Sequence, residues 1–151
     1  MLSSQGGDVR VRVAGILISP EGILLIAHKK NDDVYWLLPG GGVDYGESLS
    51  EALKREFHEE LNIDITVSDL ALISDSIDPA GERHVVNICF ICNYTGGEYM
   101  LGTEGRLHDF SFFGRDEIQD IKLFPPINNE LISLIDNGVK GKYIGRLWKD
   151  K

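Results

Sequence analysis

Between Gly40 and Ile63, three consecutive glycines run into a helix that carries carboxylates on its apolar side. Ser48 and Glu51 form the S-x-x-E capping box that starts a helix, and Asn62 tolerates the left-handed conformation that ends one. A helix is therefore predicted over Leu49 to Leu61. Wound at roughly 100° per residue, Leu49, Ala52, Leu53, Phe57 and Leu61 define its inward face. Glu56 and Glu60 fall within that face, and Glu59 falls at its edge. Residues three and four apart are neighbours on a helix, so these like charges repel. Burying them uncompensated costs on the order of several kcal/mol each. A bound divalent cation is one compensation, and all-oxygen ligands suit Mg²⁺ or Mn²⁺. A solvated acidic face beside Lys54 and Arg55 is the other reading, and helical phase alone leaves both open. Gly40-Gly41-Gly42 reads as a loop whose path a bulky residue could not easily follow.

The rest of the chain organises around this segment. Its 151 residues suit one domain, expected over residues 9–138, with a flexible tail before it. Val9 to Ser19 and Gly22 to His28 read as a hairpin around Pro20-Glu21-Gly22. Val34 to Leu38, Ile63 to Ser76, Arg83 to Tyr94 and Leu107 to Phe113 read as strands, with a turn at Gly96-Gly97. Arg115 to Ile121 and Ile127 to Asp136 read as helices, the second stopped by Asn137-Gly138. Residues 139–151 form a basic tail with Tyr143 and Trp148 interleaved. It is expected to dock on an acidic domain, its own or a dimer partner's.

The net charge of −9 and pI near 4.8 argue against a general nucleic-acid binder, which needs clustered Lys and Arg. A small phosphorylated ligand remains compatible, since cations can sit between two sets of negative charges. No apolar run approaches the roughly 18 residues of a membrane span. The start of the chain lacks the apolar middle of a signal peptide, so a cytoplasmic location is expected. Cys89 and Cys92 are spaced C-x-x-C inside an apolar strand. Residues three apart in a strand point to opposite faces, so apolar packing is expected rather than a metal or redox pair.

Spacing carries more than phase. Gly41 is followed by Glu47, then Arg55-Glu56, Glu59-Glu60 and Ile63, in the pattern G-x5-E-x7-R-E-U-x-E-E-x-G-U, where U is a bulky aliphatic residue. Six charged or glycine positions match in register, which arises by chance in on the order of one chain in 10⁵. This resembles the signature of the Nudix hydrolases. Two positions depart: Asn62 stands for the last glycine, and Phe57 fills an aliphatic position that then needs a roomier core. Leu38-Pro39-Gly40-Gly41 resembles the family's usual approach. The stretches from Thr103 to Ile118 and from Phe124 to Ile135 resemble its late strand and last helix.

The resemblance implies an α/β fold, the α/β/α sandwich with a mixed β-sheet. It implies Mg²⁺, with Mn²⁺ as the alternative, held by the Gly41 carbonyl and by Glu56, Glu59 and Glu60. Glu47 and Arg55 would form an ion pair that braces loop against helix. A general base is expected from a loop glutamate. Glu104 is the first candidate, flanked by glycines that let it move, with Glu59, Glu98 and Glu82 behind it. Pro79 lies 16 residues beyond Ile63, a distance associated in this family with ADP-ribose pyrophosphatases. The same Asp78-Pro79-Ala80-Gly81 is also a good generic turn. Arg83, His28 and Arg106 are candidates for phosphate contact. Tyr35, Phe90 and Tyr94 could stack a base or fill the core. The implied activity is metal-dependent hydrolysis of a diphosphate linkage in a small nucleotide-like substrate, ADP-ribose or a nucleotide sugar first. A nucleoside triphosphate pyrophosphohydrolase is the runner-up, ahead of dinucleoside polyphosphates as substrates. A non-enzymatic nucleotide-binding regulatory domain is disfavoured because the carboxylates are intact. A homodimer is possible within the family.

Overall fold

Apolar strand residues divide between two faces, and each face acquires its own helix. The computed structural model describes residues 7–148. The expected flexible tail falls mostly on residues outside that range, as do the last three residues of the basic tail. The order is β1 (Arg10–Ser19), β2 (Gly22–Lys30), β3 (Asp33–Leu37), β4 (Gly40–Gly42), α1 (Leu49–Leu61), β5 (Ile63–Ile77), β6 (His84–Gly97), β7 (Leu107–Phe113), α2 (Arg115–Asp120), α3 (Asn128–Asn137) and β8 (Lys142–Leu147). Strands run in the order β3-β2-β1-β6-β5-β8, with β4 beside β1 and β7 beside β2. β1 pairs with β6 and β5 with β8 in parallel; the other pairings are antiparallel, so the sheet is mixed.

On one face, Val13, Leu17, Leu24, Ile26 and Cys92 pack with Ala52, Leu53, Phe57 and Leu61 of α1. On the other, Ala14, Ile16, Ile23, Leu25 and Cys89 pack with Ile118 of α2 and with Leu131 and Leu134 of α3. The two free cysteines thus lie in opposite cores. The room for Phe57 comes from Gly15, where a Cβ would sit 2.5 Å from the ring. α1 begins at the Ser48–Glu51 capping box and ends at Asn62, whose φ is 57°. No helix among the described residues is long and apolar enough to cross a membrane.

Two glycine segments differ from expectation, and the basic tail lies against its own domain as a strand. The triple glycine is a short strand paired with Arg12, Val13 and Ala14 of β1, because extended glycines meet an open strand edge there. Gly96-Gly97 does not turn but extends β6 alongside Asp64 and Ile63. In the basic tail, residues 142–147 complete the sheet as β8, supplying ladder partners for the outer edge of β5. The Tyr143 hydroxyl there donates to Asp75 at 2.5 Å.

Candidate active site

α1, β4 and the loop before β7 converge on a cavity of about 370 Å³. Its acidic wall comprises Gly40, Gly41, Gly42, Glu56, Glu60 and Glu104, and Arg10, Arg12, Arg83, Arg106 and His28 line the rest. Glu60 projects from the buried face of α1 and is 4% exposed. The Gly40 N–H donates to its Oε1 at 3.0 Å. Burial pushes its carboxyl up to about 8, with the Arg12 charge opposing and Glu56 reinforcing. Glu56 is half-buried. Burial pushes its pKa up, Arg55 pulls it down, and Glu59 and Glu104 repel its charge. Gly41 is required by close approach: a Cβ there would fall 2.3 Å from Glu56 Oε2.

Arg55 ties the loop to the helix. Its Nε and Nη2 donate to the two oxygens of Glu47 at 2.7 and 2.8 Å, and Nη2 also reaches the Gly42 carbonyl at 3.1 Å. Nη1 donates to Glu56 and Glu59 at 3.0 and 2.9 Å. This bidentate contact draws the Glu47 carboxyl down to about 2. Glu47 also accepts from the Asp44 N–H at 2.9 Å, closing the turn before the helix.

Glu59 is exposed and turned to Arg55, outside the cavity lining. Among the described residues no three His, Cys, Asp or Glu side chains converge as a ready-made cation cage. The site nevertheless fits a hard divalent cation. Its donors are all oxygen, Gly41 leaves the space beside Glu56 open, and Glu60 is a buried carboxylate short of positive partners. Direct ligation by Glu59 would require it to exchange its Arg55 bond.

Glu104 is set by the loop that caps the end of α1. Gly102 N–H donates to the Glu60 carbonyl at 2.8 Å and Met100 N–H to that of Leu61 at 3.0 Å, satisfying helix-end acceptors. A Cβ on Gly102 would meet the Glu59 carbonyl at 2.3 Å, so close approach requires this glycine. Leu107 N–H donates to the Glu104 carbonyl at 3.0 Å. Of the other loop glutamates, Glu98 gives its carbonyl to Asn62, and Glu82 lines a neighbouring surface depression that shares Arg10, Arg83 and Arg106 with the cavity.

Arg83, His28 and Arg106 reach the cavity, whereas Pro79 lies outside it in an exposed turn. That turn is closed by Ala80 N–H donating to Asp78 Oδ1 at 2.9 Å and Gly81 N–H to the Asp78 carbonyl at 2.8 Å. Tyr35 is buried, Phe90 packs against the α1-side core, and Tyr94 is exposed. Arg10 and Arg12 escape a motif reading. The one signal for them was their alternation with Val9, Val11 and Val13, which places both on one face of β1. Arg12 Nη2 donates to the Leu38 carbonyl at 2.9 Å, fixing the cation between β1 and the approach to β4.

Known proteins show where the chain belongs. The NUDIX domain model matches residues 8–135. The chain is 37% identical over 101 residues to an ADP-ribose pyrophosphatase of Methanocaldococcus jannaschii, covering 66% of this chain and 60% of that one. It is 32% identical over 117 residues to an RNA pyrophosphohydrolase of Wolbachia sp. subsp. Drosophila simulans, covering 78% and 68%. A solved NUDIX hydrolase from Nitrosomonas europaea shares the fold with a TM-score of 0.77 at 18% identity, covering 89% of this chain and 93% of that one. With the family model spanning the whole carboxylate-bearing core, the chain belongs to the Nudix hydrolase family.

Proposed function

We propose that the protein hydrolyses the diphosphate linkage of a nucleoside diphosphate derivative, ADP-ribose or a nucleotide sugar, with Mg²⁺ and with Mn²⁺ as a substitute. One observation carries this reading: a single cavity joins carboxylates to arginines. A diphosphate repels a nucleophile and also repels Glu56 and Glu60. Opposite charges must therefore come from both sides, cations on the acidic side and guanidinium groups on the other. Glu56, Glu60 and Gly41 would hold the metal, with Glu59 joining from the helix edge. When bound, Mg²⁺ neutralises phosphate charge and lowers the pKa of water.

The chain's own groups do the rest. Arg12, Arg83 and Arg106 orient the phosphates and share their charge. Glu104 is exposed, lines the cavity and carries no ion pair in the described structure, so its carboxylate accepts the proton of the attacking water. Glu59 is second in line for that role, because Arg55 holds its carboxylate. Arg55 and Glu47 keep β4 against α1 and position Glu56. The M. jannaschii relative named for ADP-ribose favours that substrate class.

Hydrolysis of a mixed diphosphate panel in ¹⁸O-water with Mg²⁺ tests the reading. AMP with ribose phosphate is the expected product pair. Nucleoside monophosphate with pyrophosphate as the preferred products would overturn it in favour of a triphosphate pyrophosphohydrolase.

A further inference from the structure

The basic wall of the cavity continues outward into an open surface depression of about 850 Å³. Arg10, Arg83 and Arg106 line both spaces, whereas Arg12 lines the inner cavity and not the depression. Asp8, Glu82 and His84 complete the outer lining. The three shared guanidiniums arrive from different places: Arg10 on β1, Arg83 just before β6 and Arg106 just before β7. Arg10 Nη2 lies 4.0 Å from where a Cβ on Gly42 would sit, so this cation stands at the boundary between the two spaces.

Acidic residues outnumber Lys and Arg by 24 to 15 in this chain, so a guanidinium without a partner does not lack available carboxylates. Arg55, Arg115 and Lys122 all hold ion pairs. Among the described residues, Arg10, Arg83 and Arg106 make none, although Asp8 and Glu82 share their depression. Like charges gathered in one place repel, and their planar donor forks match phosphate oxygens. A diphosphate does not use them all. Each of its phosphates carries a single charge in a diester, and a metal on the acidic wall faces the same oxygens. Spacing points the same way. Arg10 and Arg12 share one face of β1, about 7 Å apart along the strand. Neighbouring phosphates in an unbroken chain lie closer than this. A pentose sets its 5-phosphate and a phosphate on another of its hydroxyls at a comparable separation.

We propose that the outer depression is a phosphomonoester subsite, and that the preferred substrate carries a third phosphate on one of its pentoses. The proposal rests on the diphosphate reading and extends it. The diphosphate lies in the inner cavity, the pentose crosses the boundary at Arg10, and the added phosphate meets Arg10, Arg83 and Arg106. Such a group carries about −1.5 to −2 charges near pH 7 and offers three acceptor oxygens. Asp8 and Glu82 oppose it, which sets a limit on how tightly it is held.

Two measurements on the full chain test this. First, kcat/KM with Mg²⁺ is compared for ADP-ribose, its 2′-phosphate on the adenosine pentose and its 1″-phosphate on the distal pentose. One isomer is expected to exceed ADP-ribose by about tenfold, through KM rather than kcat. The isomer that gains identifies the pentose lying outward. In Arg10→Gln the gain should vanish, and in Glu82→Gln it should grow by about threefold. Second, the products are titrated by calorimetry without metal: adenosine 2′,5′-bisphosphate against AMP, and ribose 1,5-bisphosphate against ribose 5-phosphate. The bisphosphate of the same pentose is expected to bind about tenfold tighter. No gain from either added phosphate overturns the proposal, even if a variant fails to fold. So does an equal gain for both isomers that persists in folded Arg10→Gln, which would be an effect of charge and not of position. Turnover of ADP-ribose without any such gain leaves the diphosphate reading standing. Tighter bisphosphate binding without turnover of any diphosphate does the reverse.

Discussion

The acidic wall of the cavity comes mainly from one stretch, Gly40 to Glu60, with Glu104 added by a loop pinned to the end of α1. The basic wall is gathered from three places: Arg10 and Arg12 on β1, Arg83 just before β6, and Arg106 just before β7. Helix geometry fixes the first, because residues four apart share a face whatever surrounds them. Tertiary pairing fixes the second: the β1–β6 register sets Arg10 opposite Val85, two residues past Arg83. The acidic wall can therefore stay constant while the basic wall changes, which separates the bond broken from the molecule chosen.

Breaking the acidic wall should cost most. Glu60→Gln or Glu56→Gln is expected to lower kcat by about 10³-fold, with KM within a few-fold, as for loss of groups that act on the transition state. Removing the metal tests the same wall by a different readout. A carboxyl raised to about 8 in the folded protein, against 4.5 unperturbed, contributes metal-free stability in full below about 4.5 and loses it as pH rises through 8. Mg²⁺ should therefore raise Tm more at pH 8 than at pH 5, where Glu60 is already protonated. In Glu60→Gln the difference between the two increments should shrink, Glu56 alone keeping a burial-raised carboxyl beside the metal. Equal increments in the wild type would refute Glu60 as a metal ligand.

The brace comes next. Lys cannot reproduce the fork that Arg55 extends to Glu47, Glu56, Glu59 and the Gly42 carbonyl. Arg55→Lys should lower kcat by about 30-fold, through displaced carboxylates rather than weaker substrate binding. A rise in KM at constant kcat would instead place Arg55 on the substrate. The basic wall should show that opposite signature. Arg83→Ala and Arg106→Ala are each expected to raise KM by about tenfold, with kcat changed less than about threefold. If either variant loses kcat instead, the two walls do not divide labour.

The same contrast explains what was legible in the sequence. α1 could be placed to the residue because its signals are local: the capping box, the apolar spacing and Asn62. The spacing of Glu47, Arg55, Glu56 and Glu60 likewise depends only on neighbouring turns. Arg10 and Arg12 were not legible as site residues, because nothing within β1 says that Arg83 will arrive beside them. Nor was the strand character of Gly40–Gly42, which exists through β1, or that of residues 142–147, which exists through β5. In the sequence only its glycine neighbours single out Glu104. The backbone contacts that position it, Gly102 to Glu60 above all, appear once the chain is folded.

The smallest effect belongs to an arginine that faces no part of the cavity. Arg115 of α2 makes a bidentate contact with Asp136 of α3, with Nε at 2.8 Å from Oδ1 and Nη2 at 2.8 Å from Oδ2. Its geometry rivals that of Arg55 and Glu47, but both partners are solvent-exposed and the pair joins two helices behind the sheet. Hydrogen bonding to Arg115 draws the Asp136 carboxyl down. A carboxylate lowered on folding contributes stability above its unfolded pKa and loses it as pH falls through the folded one. Asp136→Asn should therefore lower Tm by about 1–2 °C at pH 7 and by less near pH 3, as expected of an exposed pair. Its kcat and KM should match the wild type. If this variant shifted KM as Arg83→Ala does, the effect of the basic wall would be one of net charge rather than position. The four arginines would then have no claim to a shared substrate.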